Sequence, residues 1–102
     1  MHIKNLLSLK NSSAIVIGGA GKIGYPISEA LAEAGAKVYI CSTNPKNFSE
    51  SVKKLKEKKL NVEGFKLDQT SEKDINNLIK KIRKSKIPLK VLVNSGVIRP
   101  MK

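Results

Sequence analysis

The chain has 102 residues, 20 of them Lys or Arg against 8 Asp or Glu, for a formal charge of +12. That length holds one domain with a real core and is short for a complete doubly wound enzyme. No apolar run approaches the roughly 20 residues of a membrane helix, Cys41 alone cannot close an internal disulfide, and His2 alone excludes a histidine-based metal site.

Residues 1–12 read as a lead-in without the apolar core or cleavage site of a signal peptide, so cytoplasm is the expected compartment. Residues 13–17 form a first strand, and the β-branched run Ala14-Ile15-Val16-Ile17 meets the glycine cluster Gly18-Gly19-Ala20-Gly21. From Lys22 the positions Ile23, Ile27, Ala30, Leu31 and Ala34 recur at helical spacing, and Gly35 stands where a helix-ending glycine belongs. Val38 to Cys41 reads as a second, buried strand, with Cys41 an inert thiol. Asn44-Pro45 reads as an N-cap followed by a proline in the first helical position. Phe48, Val52 and Leu55 mark the buried face of that helix, opposite a lysine-rich one. Val62 to Leu67 is a third strand. Ser71-Glu72-Lys73-Asp74 resembles a capping box, and Ile75, Leu78, Ile79 and Ile82 give the stripe of a third helix. Val91-Leu92-Val93 is a fourth strand, ending at Asn94-Ser95-Gly96.

The order β-α-β-α-β-α-β predicts an α/β fold, a partial Rossmann-like doubly wound parallel sheet of about four strands in the order 3-2-1-4 with three helices. Ligands of such sheets sit beyond the carboxyl ends of the strands, where the strand order reverses. Gly18 to Gly24, Cys41 to Asn44, Asp68-Gln69 and Asn94 to Gly96 all fall on that edge. Gly19, Gly21 and Gly24 spell G-x-G-x-x-G, which fits a dinucleotide pyrophosphate held at a helix N-terminus. A glycine-rich turn with no ligand is the bland alternative, and the convergence of four loops outweighs it. A Walker A loop fails, because Val16 occupies the first glycine position and Ile23 the Ser/Thr position. The basic charge is nearly all Lys, and Phe48, Phe65, Tyr25 and Tyr39 do not interleave with it in sequence. A solvated lysine-rich surface is therefore expected, and nucleic acid is disfavoured as a partner.

Four segments together resemble the short-chain dehydrogenase/reductase family: Leu7-Ser8-Leu9-Lys10, Val16 to Gly24, Leu67-Asp68-Gln69-Thr70, and Val93-Asn94-Ser95-Gly96. Their order and spacing match over nearly the whole chain. The resemblance implies that Asp68 bonds an adenine and that Asn94-Ser95-Gly96 steadies the sheet and the cofactor. It implies a cofactor site of Gly18, Gly19, Gly21, Lys22, Ile23, Gly24, Ser42, Thr43, Asp68, Gln69, Asn94, Ser95 and Gly96. The chain departs from the family at Ile17, where a threonine is usual, and at Lys22, where the common spelling has glycine. Gly18, Gly21 and Gly24 instead follow the spelling G-x-x-G-x-x-G, and the doubled asparagine of the fourth motif is reduced to Val93-Asn94.

No acid follows the second strand at the place that would bond the ribose 2′-OH of NAD, and Ser42, Thr43 and Lys46 could accept a 2′-phosphate. The balance leans to NADP over NAD. The family's catalytic Tyr-x-x-x-Lys pair is not in this chain, since Glu29 stands four residues after Tyr25 and Thr43 four after Tyr39. No catalytic residue and no metal ligand is assigned. The expectation is a single partial dinucleotide-binding domain over residues 1–102, the cofactor-binding part of an oxidoreductase whose catalytic half is absent here. A stand-alone nucleotide-binding module is the second reading and a basic nucleic-acid binder the third. The outer edge of the fourth strand is expected to take a C-terminal partner chain or a second copy.

Overall fold

The computed structural model describes residues 8–18 and 21–94. Within them the elements run β1 (Ser13–Ile17), α1 (Gly24–Glu33), β2 (Lys37–Ser42), α2 (Lys46–Glu57), β3 (Val62–Lys66), α3 (Glu72–Ser85) and β4 (Leu89–Asn94). All strand pairs are parallel and the order is β3-β2-β1-β4, as the sequence predicts.

The alternation of β1 explains how the sheet takes helices on both faces. Ala14 and Val16 point to one side and join Ala32, Ala36, Val38, Ile40, Leu55 and Val62 in a core beneath α1 and α2. Ile15 points to the other side, where it packs with Tyr39, Cys41, Leu67, Leu78 and Ile82 under α3. A parallel sheet covered on both faces needs strands that are apolar at successive positions, which β1 and β2 supply. Among the described residues no helix is long and apolar enough to cross a membrane.

The boundaries shift in ways that have local causes. Helix α1 begins at Gly24 rather than Lys22, because Gly21 N–H closes a turn on Gly18 O (3.1 Å) before Tyr25 N–H reaches Gly21 O (2.9 Å). Its end behaves as expected: Gly35 has φ +108°, and Gly35 and Ala36 donate to Ala32 O and Leu31 O, satisfying the last carbonyls. Helix α2 ends in the same pattern, yet its left-handed position is Lys59, at φ +65°. Helix α2 starts one residue later than expected, with Pro45 rather than Asn44 at the N-cap position and no side-chain cap, although Asn44 Oδ1 accepts the N–H of its first residue, Lys46, at 3.0 Å. The capping box of α3 is only half formed. Ser71 Oγ accepts Asp74 N–H (3.2 Å), but the Asp74 carboxylate accepts Asp68 N–H (3.0 Å) instead of returning to Ser71. Strand β3 stops at Lys66, although Leu67 N–H still bonds Ser42 O at 2.9 Å. Strand β4 starts two residues early, at Leu89. Ser13 holds that start to β1 through its N–H to Pro88 O (2.7 Å) and its Oγ–H to Ile87 O (3.0 Å), and a register shift follows in which Ala14 pairs with Val91.

Gly64, unremarkable in the sequence, is a packing requirement. A Cβ there would lie 2.3 Å from Phe48 Cε1 and 2.4 Å from Cδ1, so the ring of α2 rests on bare β3 backbone. Gly64→Ala is expected to destabilise the domain by roughly 1–3 kcal/mol through overpacking, and Phe48→Leu in the same chain should recover part of the loss. Urea unfolding of the two single variants and the double variant measures both effects.

Candidate functional site

Because every strand is parallel, the residues that follow them gather on one edge, and hydrogen bonds tie that edge together. Gly18, at φ +78°, leaves β1 and donates its N–H to Cys41 O of β2 at 2.8 Å. Leu67 joins β3 to Ser42 as described. Asn94 Nδ2, at the end of β4, donates to Gln69 Oε1 in the loop after β3 at 2.8 Å. Gly18, Gly21, Lys22, Ile23, Gly24, Ser42, Thr43, Asp68, Gln69 and Asn94 are therefore brought together at the carboxyl ends of the strands. Gly19, Ser95 and Gly96 lie outside the described residues.

The three helices meet this edge differently. Ser71 caps α3 and Asn44 Oδ1 accepts the first N–H of α2, while α1 has no side-chain cap, no such preceding acceptor and no acid in its first turn. The first N–H groups of a helix have no intrahelical partner and sit at its positive dipole end. Around that uncapped end Lys22 is exposed and Ile23 is half exposed, supplying a cation and an apolar wall. This arrangement suits an anion with an apolar neighbour.

The rest of the edge is polar and ordered. Ser42 Oγ accepts Asn44 N–H (3.3 Å) and Asn47 Nδ2–H (3.2 Å). Thr43 is exposed beside it, and no carboxylate stands at the end of β2. Asp68 Oδ1 accepts both Thr70 N–H (2.9 Å) and Thr70 Oγ1–H (2.7 Å). Those two bonds hold the Asp68 carboxyl below its ordinary value of 3.8, the hydroxyl contributing most; desolvation opposes them and the charge of Lys66 adds to them. Beneath the edge the Cys41 thiol is pushed up to about 12 by burial, as befits an inert core residue. Among the described residues no group of His, Cys, Asp or Glu could hold a metal.

Residues 12–102 match the family described as short chain dehydrogenase. The chain belongs to that family. It is 39% identical over 85 residues to the polyprenol dehydrogenase of Homo sapiens, covering 81% of this chain and 26% of that protein. Among solved structures it is similar to that of gox2181 (31% identity, TM-score 0.80, 92% of this chain and 36% of that one). It is also similar to the NADP active-site complex of Pseudomonas aeruginosa RhlG (29% identity, TM-score 0.74, 93% of this chain and 37% of that one). The chain thus spans about a third or less of the length of these relatives, and carries the Rossmann region of the short-chain dehydrogenase fold.

At the short-chain dehydrogenase edge Asn47 was not singled out from sequence, and Thr70 and Asp74, named there only within the Leu67–Thr70 segment and the capping box, prove to be hydrogen-bond partners of Asp68. Asp68-x-Thr70 is a readable side-chain turn pattern. Asn47 reaches Ser42 across a helix start, and nothing in the linear spacing announces it. Because Asp68 is depressed in the fold, its contribution to stability is present above pH 3.8 and is lost as pH falls through the folded value. Thermal melts from neutral pH downward should show wild type above Asp68→Asn, with the gap constant near neutrality and closing as the medium becomes acid. A gap independent of pH would refute the assignment.

Proposed function

We propose that residues 1–102 form one nucleotide-binding domain that holds NADP in preference to NAD, as the cofactor-binding part of a short-chain oxidoreductase. The uncapped N-terminus of α1, set directly behind the Gly18–Gly21 turn, carries this reading. Its free N–H groups and dipole would receive the pyrophosphate, with Lys22 adding a positive charge and Ile23 an apolar face. Asp68 would accept the adenine amine through its carboxylate, which Thr70 keeps ionised. Asn94 and Gln69 would fix the far side of the crevice, adjoining Ser95 and Gly96.

The absence of a carboxylate at the end of β2 supports NADP. Ser42 has both lone pairs engaged by Asn44 and Asn47, which leaves its proton as a donor, and Thr43 and Lys46 flank it. The relative from Pseudomonas aeruginosa is itself an NADP complex. When bound, the nicotinamide would supply the hydride acceptor or donor. Moving the accompanying proton would fall to a Tyr-x-x-x-Lys pair that this chain does not contain, so turnover is proposed to need residues from outside it. A buried, unpaired Cys41 accords with a reducing cytoplasm.

Titration of NADPH fluorescence measures the binding. Gly18→Val would strain a backbone at φ +78° and Gly24→Val would crowd the buried start of α1, so each should abolish it. Wild-type affinity in both variants would place the site elsewhere. We also propose that the outer edge of β4 pairs with a second copy or a C-terminal partner. Leu92 is 64% exposed on a strand that, among the described residues, is bonded only to β1. The purified chain should exceed monomer mass by light scattering, and Leu92→Glu should lower that mass; a stable monomer at high concentration would overturn this proposal.

A further inference from the structure

The tertiary structure changes one reading of the charge. Phe65 stands apart from the basic run in sequence, but in the fold it lines one groove of about 730 Å³ with Asn77, Lys80, Lys81, Arg83 and Lys84. The groove lies on the outer flank of the sheet, between edge strand β3 and the second half of α3. Phe65 is half-buried, its ring packed against the core cluster under α3 and so held from below. Asn77, Lys80, Lys81 and Lys84 recur at helical spacing and form one stripe along α3.

The local charge is not cancelled. Glu63 pairs with Lys81 at 2.6 Å through one oxygen and with Lys37 at 3.3 Å through the other. Burial works to raise the Glu63 carboxyl, and the bonds from Lys81 and Lys37 outweigh it and hold it low. Its charge is thus consumed by two lysines. Lys80, Arg83 and Lys84 make no ion pair with a described residue. Three uncompensated cations, an amide and a fixed aromatic ring therefore share one concave surface, of a size within the roughly 300–1,000 Å³ range of ligand sites.

We propose that this groove binds single-stranded nucleic acid. A base stacks on the exposed part of the Phe65 ring, Asn77 offers a donor and an acceptor to a base edge, and Lys80, Arg83 and Lys84 take the backbone phosphates. An acidic peptide matches the cations but has no base to stack, so the ring selects between the two. The cations of the groove are separate from the nucleotide edge. Helix α3 runs antiparallel to the strands, so Lys80, Arg83 and Lys84 lie toward their amino ends, away from Gly18 and Asp68, while Phe65, paired with Cys41, stands nearer the carboxyl end of β3.

The test is fluorescence anisotropy of a labelled single-stranded dT oligonucleotide with the full chain. Binding should weaken with salt, with a log–log slope of about −2 for three phosphate contacts. Phe65→Leu, which keeps an apolar body but removes the ring, should cost about tenfold in affinity and leave the slope unchanged. Lys80→Gln with Lys84→Gln, on the exposed face of α3, should flatten the slope by about 1.4 and tests the proposal even if Phe65→Leu fails to fold. NADP should not compete, and polyglutamate of matched charge should compete poorly. The proposal is overturned by any of four results: no binding at low salt; NADP displacing the oligonucleotide; polyglutamate displacing it equally well; or the same loss from Lys53→Gln with Lys54→Gln on α2.

Discussion

Everything in this domain depends on the pairing of β1 with both β2 and β4. Ser13 to Ile17 is hydrogen-bonded on both sides, and Ala14 and Val16 are wholly buried. Because β1 is central and every neighbour is parallel to it, each strand delivers its carboxyl end to the same side of the molecule. The functional edge follows from that alignment before any side chain is considered. The link from Ser13 to Ile87 and Pro88 secures it on the β4 side.

The edge then differentiates through helix capping. Ser71 caps α3 and Asn44 accepts the first N–H of α2, while α1 begins behind glycines and an exposed Ile23. The same glycine turn takes up Tyr25 N–H through Gly21 O, and no side chain caps the start of α1. Of the three helix starts on this edge, that of α1 is the one with neither a side-chain cap nor a preceding side-chain acceptor. The β2 end, with Ser42 and Thr43 in place of an acid, extends the same absence of negative charge along the edge.

The two faces of the sheet carry different charge arrangements. Beneath α1 and α2 the core is aliphatic, with Phe48 resting on Gly64. Under α3 it includes Tyr39, whose ring lies 5.5 Å from the Lys37 ammonium, and is bordered by the Lys37–Glu63–Lys81 network. That network spans β2, β3 and α3, so it fixes the flank of α3 against the edge strand. By absorbing Glu63, it also leaves the remaining cations of α3 facing outward with nothing to offset them.

The sequence by itself determined the element order, the parallel sheet of order 3-2-1-4, the Gly35 helix end and the grouping of Gly18, Ser42, Asp68 and Asn94 on one edge. These are set by periodicity and by residues such as glycine whose backbone demands are local. It did not reveal that Gly64 is obligatory, that Lys59 holds a left-handed helix end, that Asp74 turns to Asp68, or that Asn47 fixes Ser42. Each of those depends on a partner brought near by another element, or on a conformation imposed on a residue with no intrinsic preference for it. Phe65 shows the difference most plainly: its distance from the basic run is large along the chain and small in space, because β3 and α3 pack on the same flank.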